Sequence, residues 1–253
     1  MMFKQERQTK ILQIVQAEGK AEAKALSGRL RVSEDTIRRD LREMDKKGWI
    51  QRVHGGAFPI HSGPLTFSDR DEEVPEEKVI LAKKGAEFIN DGQFIILDGS
   101  TTNLQLINRF PKNLRATIIT NSIVNSLKLS AFPNIEVITL GGRLFKDSLV
   151  NVGGAVIDAL RTVKADLCFL GVYSIHPDFG LSVPDYEESL VKKQMIRSAN
   201  KTIALLTKNK LNTISRYSIE NINCLDYLIV SQGVPEQALA AYLHAGIEII
   251  RAK

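Results

Sequence analysis

The first sixty residues show a helical spacing of apolar side chains that is interrupted twice by turn residues. The spacing predicts two helices, over residues 6–18 and 21–30, and a third that Ser33 caps and Gly48 ends. The apolar stripe of the third helix comprises Ile37, Leu41 and Met44. Residues 49–53 favour short strands beside a sharp turn, where glycine permits the bend. Three helices followed by a β-hairpin are the pattern of a winged helix-turn-helix.

From residue 93 onward, short apolar runs alternate with segments of helical periodicity. The runs predict seven strands, over residues 94–97, 116–120, 136–140, 167–171, 202–206, 227–230 and 247–250. The helical segments between them cover residues 102–109, 122–130, 153–161, 186–199 and 235–245. Strands this apolar, separated by helices, form a parallel sheet that is covered on both faces. The sequence therefore predicts an α/β fold with a Rossmann-like parallel-sheet domain.

The two patterns are joined by a segment rich in proline and charge, residues 58–75. Its three prolines and its acidic cluster favour an extended, solvated connector with little helix. A helix over residues 76–90 then leads to the first strand. We therefore divide the chain into a winged helix-turn-helix domain at 3–58, a linker at 59–75 and a large domain at 76–253.

Charge is distributed unevenly between these domains. Residues 1–60 contain 13 Lys and Arg against 8 Asp and Glu, whereas residues 61–253 contain 21 of each. The whole formal charge of +5 therefore belongs to the first quarter of the chain. This distribution is typical of a domain that binds a polyanion, joined to one that does not.

Composition argues against several other classes of protein. A hydrophobic fraction of 43% is ordinary for a globular chain, and no apolar run approaches the roughly 18 residues that span a bilayer. The N-terminus lacks the apolar core of a secretory signal, and two cysteines are too few for a disulfide framework. The four histidines have no metal-ligand spacing, and no cofactor is expected. These features predict a cytoplasmic protein.

The third helix carries polar side chains beside its apolar stripe, and these are candidate contacts to DNA. The candidates on or next to this helix are Ser33, Thr36, Arg38, Arg39 and Arg42, and those in the hairpin are Arg52 and His54. Arginine near the start of a short helix can donate paired hydrogen bonds to guanine in the major groove, or clamp a phosphate. The alternative is an amphipathic helix whose arginines face only water.

Four polar turns follow predicted strands of the large domain, at the sheet edge where ligands bind in such folds. Their candidate residues are Asp98, Gly99, Ser100, Thr101, Thr102, Asn121, Gly141, Gly142, Arg143 and Lys210. Hydroxyl groups and free amides at a helix N-terminus bind anions, glycine allows close backbone approach, and Arg and Lys add positive charge. Together the turns favour a phosphorylated polyol as ligand. Singly, each has an alternative role as a helix cap or a tight turn.

The run LRVSEDTIRRDLREMDKKGWIQRVHGGA resembles the winged-helix domain of the DeoR family of bacterial transcriptional regulators. The motifs DGSTT, TNS, GGR and EESLVKKQMI, and a lysine after the fifth strand, are similar to the effector domain of that family. The resemblance implies operator binding and, for the large domain, the fold of ribose-5-phosphate isomerase, glucosamine-6-phosphate deaminase and coenzyme A transferase. It also implies a sugar phosphate effector, with Glu188 and Lys192 as further candidate contacts.

The chain departs from the family pattern in three places. Lys24-Ala25-Leu26 stands where the family usually has Glu-Leu-Ala, in a supporting helix. Gly99-Ser100 stands where the family often has Ser-Gly, and Thr207 where it often has aspartate. The last two departures bear on the identity of the effector and not on the fold.

These observations predict a homo-oligomeric repressor of a carbohydrate operon, which binds double-stranded operator DNA and is relieved by a phosphorylated sugar. A rival hypothesis is a sugar-phosphate isomerase or deaminase with an accessory DNA-binding domain, in which Asp98, Glu188 and Lys210 supply acid and base groups. A third is an RNA-binding protein. Against it, the stacking aromatics of RNA recognition are sparse here, and Trp49 is expected to pack under the wing.

Overall fold

The computed structural model describes residues 2–53, 55–60 and 66–253, which form an N-terminal region and a large region. The N-terminal region contains α1 (Lys4–Glu18), β1 (Ala21–Glu22), α2 (Ala23–Leu30), α3 (Glu34–Lys46), β2 (Ile50–Val53) and β3 (Gly56–Pro59). Two helices lead from there to the large region, α4 (Phe67–Glu72) and α5 (Pro75–Ala86).

A seven-stranded sheet forms the centre of the large region. Its elements, with the shorter strands around it, are β4 (Phe94–Leu97), α6 (Thr101–Ile107), β5 (Ala116–Thr120), α7 (Ile123–Leu129), β6 (Ile135–Thr139), β7 (Arg143–Phe145), β8 (Val150–Val152), α8 (Gly154–Arg161), β9 (Ala165–Leu170), β10 (Ser174–His176), β11 (Gly180–Val183), α9 (Tyr186–Arg197), β12 (Ala199–Leu206), β13 (Tyr217–Glu220), β14 (Tyr227–Ser231), α10 (Glu236–His244) and β15 (Glu248–Ala252). The strand order is β15-β14-β12-β9-β4-β5-β6, and all neighbours are parallel. The predicted α/β parallel sheet is confirmed.

The strand β4 illustrates why the central strands are apolar throughout. Ile95 and Leu97 belong to the apolar cluster on one face of the sheet, which includes Leu81 of α5, whereas Ile96 belongs to the cluster on the other face, which includes Val191 of α9. Successive side chains of a strand alternate between faces, so a sheet covered by helices on both sides needs apolar residues at every position.

In the N-terminal region, the predicted stripe of α3 is buried and packs against α2 and α1. A buried ion pair between Arg7 of α1 and Asp40 of α3 adds a polar tie that the apolar pattern did not predict. Residues 21–22 were expected in the second helix, but they form β1 and pair with β3. Gly56 makes this pairing possible, because a Cβ atom there would lie 2.2 Å from the Ala21 carbonyl oxygen.

The connecting segment is more ordered than the extended connector that the sequence predicted. Residues 67–72 form α4, whose first turn is capped by the Thr66 hydroxyl, which accepts a hydrogen bond from the Asp69 amide at 3.2 Å. Phe67 anchors the helix, because its side chain is buried. Burial of one aromatic ring and a helix cap outweigh the local bias of the prolines and charges towards an extended chain.

Short antiparallel strands lie outside the central sheet and were not predicted. β7 pairs with β8, and β11 pairs with both β10 and β13. Each has only three or four residues, too few for a clear hydrophobic period.

The N-terminal region rests on the large region through the strand that leaves the wing. The Ile214 amide donates to the Pro59 carbonyl at 3.2 Å, and Ile60 forms a parallel bridge with Ile214. The Phe58 ring packs edge-on against His176, with ring centres 4.4 Å apart. Phe58–Ile60 and their partners are called the junction below. Among the described residues, no helix has the length and apolar character needed to cross a membrane.

Candidate DNA-binding surface and ligand pocket

The helix α3 begins at a well-formed cap and leaves its polar candidates accessible. The Ser33 hydroxyl accepts a hydrogen bond from the Thr36 amide at 3.3 Å, which satisfies one of the open donors of the first turn. The candidates exposed to solvent are Ser33, Arg38, Arg39, Arg42 and Arg52, and Thr36 is half-buried. His54 lies outside the described residues.

The three arginines of α3 differ in what holds them. Arg38 is paired with Glu34 one turn earlier, at 2.7 Å between Nη2 and Oε1, and the hydrogen bond raises the pKa of Arg38. Arg39 and Arg42 make no ion pair with any other described residue. A phosphate or a base edge can therefore contact Arg39 directly, whereas Arg38 must first release Glu34 before it can bind DNA.

Trp49 does not pack under the wing as expected. Its side chain is 43% exposed, and the Lys47 ammonium lies 4.4 Å from the centre of its ring. This exposed pair adds a cation and an aromatic plane beside α3.

In the large region, the floor of a pocket forms where β4 and β9 end side by side. A Cβ atom on Gly171 would lie 2.6 Å from the Gly99 carbonyl oxygen, and one on Gly99 would lie 2.1 Å from Val150. Both turns therefore need glycine, Gly171 because the Gly99 backbone lies against it, and Gly99 because the buried Val150 side chain fills the space beside it. The DGSTT motif has this steric role besides any role in binding.

Asp98 lies beneath this floor and has both carboxylate oxygens occupied. Oδ1 accepts from the Gly99 amide and Oδ2 from the Gly171 amide, each at 2.8 Å, and Oδ2 also accepts from Lys192. Lys192 also pairs with Glu188 at 3.3 Å. These contacts make Asp98 the residue that holds the two strand ends together. Its side chain is buried and lies outside the pocket lining, so it is not accessible to a sugar hydroxyl.

Burial and mutual attraction shape the titration of this cluster. Burial raises the pKa of Glu188, and the nearby Lys192 partly offsets it. Burial acts to lower the pKa of Lys192, but Asp98 and Glu188 outweigh it, so that the pKa is raised. Lys192 therefore stays charged in the pocket wall.

Lys210 completes the wall on the side of β12. Its Nζ atom donates to the Val172 carbonyl at 2.8 Å. Burial, together with Arg70, Lys78 and Lys192, lowers the pKa of Lys210 to about 7. An anion in the pocket would reverse this effect by attracting the proton.

Five pocket residues were not predicted from the sequence, namely Arg70, Ser148, Gly171, Val172 and Tyr173. Arg70 was counted with the solvated charges of the connector, and Ser148 lies in an unpredicted hairpin. Tyr173 could have been predicted as a pocket residue, because it follows the end of β9 just as Gly99 follows the end of β4.

The pocket brings together one part of the predicted effector set, namely Gly99, Ser100, Thr101, Glu188, Lys192 and Lys210, with Asp98 beneath them. The others lie elsewhere. Thr102 is fully buried in α6, and Asn121 donates to the Asn151 carbonyl at 3.1 Å. Gly141 and Gly142 precede β7 and lie outside the pocket lining. Arg143, the first residue of β7, is exposed and pairs with Glu187. Within the described residues, no three His, Cys, Asp or Glu side chains are arranged to bind a metal ion.

A helix-turn-helix with exposed arginines, carried by an α/β domain with a charged pocket, defines a ligand-sensing DNA-binding regulator. Residues 7–62 match the DeoR-like helix-turn-helix domain, and residues 73–232 match the DeoR C-terminal sensor domain. The chain belongs to the DeoR family of transcriptional regulators.

Relatives of similar length support this assignment. The chain is 33% identical to the HTH-type transcriptional regulator GolR of Listeria innocua over 250 residues, and this match covers 98% of each chain. It is 33% identical over 252 residues to the HTH-type transcriptional repressor GlcR of Bacillus subtilis, covering 98% of this chain and 96% of GlcR. Ribose 5-phosphate isomerase A of Neisseria gonorrhoeae has a TM-score of 0.40 at 16% identity, covering 58% of this chain and 55% of that chain. The last is a likeness of fold alone.

Proposed function

We propose that this DeoR-family regulator represses a carbohydrate-metabolism operon and that a phosphorylated sugar relieves the repression. The observation that carries the proposal is the charge of the pocket. Three cations, Arg70, Lys192 and Lys210, lie with two carboxylates at the carboxyl end of a parallel sheet. With Lys210 protonated the set has a positive excess, which favours an anionic ligand, and the hydroxyls of Ser100 and Thr101 suit a polyol.

The operator is bound by α3 in the major groove, with Arg39 and Arg38 as the principal contacts. The wing, with Arg52 and His54, follows the neighbouring backbone. Supporting this is the confinement of the net charge of +5 to residues 1–60, and the exposure of the arginines described above. The division into a DNA-binding domain at 3–58, a linker at 59–75 and an effector domain at 76–253 is part of the same proposal.

The protein acts as a homo-oligomer in the cytoplasm. A single recognition helix makes few contacts with DNA, whereas two tethered helices gain affinity through effective concentration. Sedimentation of the full chain at micromolar concentration is expected to give a mass of at least twice 28.2 kDa. A monomer under these conditions would contradict this part of the proposal.

The isomerase or deaminase hypothesis has less support. Both oxygens of Asp98 are engaged by backbone amides and Lys192, which leaves it poorly suited to act as a general base. GolR and GlcR, which match over nearly the whole chain, are named as a transcriptional regulator and a transcriptional repressor. We therefore propose that the chain has no catalytic activity.

The experiment has two stages. Selection from genomic fragments with the purified full chain supplies the operator, and fluorescence anisotropy measures its affinity. The complex is then titrated with glucose 6-phosphate, fructose 1-phosphate, glycerol 3-phosphate and 2-deoxyribose 5-phosphate. One of these compounds is expected to lower operator affinity, and none is expected to be consumed. Failure of every phosphorylated compound to bind would refute the sensor function, and turnover would favour an enzyme.

A further inference from the structure

Arg70 is the residue through which the connecting helix α4 reaches the pocket. Its Nη2 atom donates hydrogen bonds to the Ser148 hydroxyl at 3.2 Å and to the Asp147 carbonyl at 3.3 Å. Its guanidinium carbon lies 6.0 Å from the centre of the Tyr173 ring. Arg70 therefore lines the pocket from α4, the first helix after the N-terminal region in the chain.

The backbone of Arg70 is tied to the same site. Its carbonyl oxygen accepts hydrogen bonds from the buried Lys78 ammonium of α5 and, at 3.4 Å, from the Thr101 hydroxyl at the start of α6. The position of α4 is thus set by one pocket residue and one neighbouring helix. A shift of these pocket residues is therefore expected to displace α4.

The pocket is narrow and partly open to solvent. Its volume is about 30 Å³, whereas pockets for small ligands typically have about 300–1,000 Å³. A sugar phosphate is therefore enclosed by this pocket only if part of the wall moves.

The floor of the pocket is held firmly, because the Gly99 and Gly171 backbones are in close contact and Lys192 pairs with Asp98. On the Arg70 side, Val74 follows α4 with a φ of 43°, and Leu149 ends the β7–β8 loop with a φ of 52°. Positive φ is uncommon and strained for residues other than glycine, and such strain clusters at ligand clamps and switch regions. We therefore expect the movement that admits a ligand to occur in α4 and this loop.

We propose that Arg70 binds the phosphate of the effector, and that this contact transmits the state of the pocket to the DNA-binding region. The inference rests on the function proposed above, because it requires a phosphorylated ligand at this site. A phosphate offers Arg70 paired hydrogen bonds and the attraction of an opposite charge, whereas the Ser148 hydroxyl and the Asp147 carbonyl are neutral acceptors. The ligand therefore favours a position of α4 in which Arg70 has left Ser148 and Asp147, as a ligand-driven shift requires.

The segment after α4 is hydrogen-bonded close to the junction. The Asn209 side-chain amide donates to the Glu73 carboxylate at 2.8 Å, and Asn209 lies five residues before Ile214 of the junction. A displacement of α4 is therefore expected to act on the point where the N-terminal region rests on the large region. Altered seating of that region changes the spacing of paired recognition helices, and hence the operator affinity.

The test uses the full chain with Arg70→Gln, and Arg161→Gln as the matched control. Arg161 is an exposed arginine of α8, paired with Asp158, and lies outside the pocket lining. Calorimetry compares glucose 6-phosphate with glucose, fructose 1-phosphate with fructose, and glycerol 3-phosphate with glycerol. For the phosphorylated compound that binds, Arg70→Gln is expected to weaken binding by roughly tenfold to a hundredfold. Arg70→Gln is expected to leave the affinity for the unphosphorylated parent unchanged. Arg161→Gln is expected to leave the affinity for every compound unchanged.

A second variant separates binding from transmission. Arg70→Lys retains the charge but lacks the planar fork, so we expect a smaller loss of affinity. At saturating ligand, operator release is expected to be incomplete in both Arg70 variants and complete in the control.

Three outcomes would overturn the inference while leaving the proposed function intact. The first is that Arg70→Gln binds the phosphorylated compound with wild-type affinity. The second is that Arg70→Gln loses affinity equally for the phosphorylated compound and its unphosphorylated parent. The third is that both Arg70 variants, when saturated with ligand, release the operator completely. If no compound binds the wild-type chain, the proposed function fails and this inference fails with it.

Discussion

The N-terminal and large regions place their cations in opposite environments. In α3, Arg38 is 56% exposed and pairs with Glu34 on the open helix surface. In the pocket, Lys192 is 3% exposed and is enclosed by Asp98 and Glu188. An exposed pair contributes little to stability and is easily exchanged for a DNA phosphate. A buried pair cannot lose one partner without leaving an uncompensated charge.

Positively charged side chains therefore serve different purposes in the two regions. Surface arginines remain available because water solvates them whether or not a partner is bound. Pocket lysines are held in place by their neighbours, so they present an oriented positive field to a small ligand without further ordering. Mutations should therefore affect affinity for DNA in the first region, and both stability and ligand binding in the second.

The largest effect is expected for Lys192→Met. It leaves Asp98 and Glu188 buried without a cation, and the free energy of unfolding of the large region is expected to fall by about 3–5 kcal/mol. Urea denaturation followed by far-UV circular dichroism measures the loss.

Lys193→Met provides the matched control for this change. Lys193 is the next residue in α9, is 37% exposed and pairs with Glu220 at 3.4 Å. The expected cost there is below about 1 kcal/mol. Equal destabilisation by the two substitutions would contradict the contrast between buried and exposed pairs.

The second effect concerns Lys210 and pH. Its pKa is about 7 and is expected to rise when a phosphate binds beside it, so binding takes up a proton above pH 7. Effector affinity is therefore expected to fall between pH 7 and 9, by at most about tenfold per pH unit. Below pH 7 the lysine is already protonated, and this group contributes no further dependence.

Lys210→Gln sharpens that prediction. Loss of a charged donor is expected to weaken effector binding by about 1.5–3 kcal/mol at pH 7 and to remove the slope between pH 7 and 9. Calorimetry in two buffers of different ionisation enthalpy measures the proton uptake directly. A pH profile unchanged by the substitution would assign the proton to another group.

The third effect tests the exposed region. Arg39→Ala is expected to weaken operator binding by about 1–3 kcal/mol if its side chain contacts a base, while the free energy of unfolding changes by less than about 0.5 kcal/mol. Fluorescence anisotropy at several salt concentrations measures the affinity. Lys128→Ala, at the end of α7 in the large region, is the control. An unchanged operator affinity would remove Arg39 from the binding surface.

The smallest effect is expected at the start of α3. Ser33→Ala removes the hydroxyl that accepts from the Thr36 amide, and is expected to destabilise the N-terminal region by about 1 kcal/mol. Ser33→Asn retains a capping oxygen and should restore most of the stability. Thermal denaturation of both variants measures the difference, and equal melting temperatures would indicate that the cap is unimportant.

Local periodicity explains how much of the fold could be predicted. Each strand of the central sheet and each of α1–α3 has enough residues to show its own hydrophobic pattern, and all were predicted within a few residues. The stripe of Ile37, Leu41 and Met44 is one example. The helix α4 was missed because its stability comes from Phe67 and a cap, within a segment whose composition favours an extended chain.

The candidate pocket could be predicted only in part. Gly99, Ser100, Thr101 and Lys210 follow strand ends, and the carboxyl ends of parallel strands meet at one edge. Thr102 and Arg143 follow strands as well, but helix geometry buries the first, and the second turns outward to Glu187. The direction of a side chain depends on the backbone conformation of the turn in which it lies. A position at the end of a strand does not specify that direction.

The sequence by itself determined the arrangement of elements, the basic N-terminal domain and the family, because these depend on composition and on spacing between near neighbours. Only the tertiary structure decided that Arg70, Ser148 and Tyr173 meet Lys192 and Lys210 in one pocket. It also assigned Asp98 to the support of Gly99 and Gly171. Contacts between residues so distant along the chain depend on packing of the whole sheet and its helices, which no local pattern encodes.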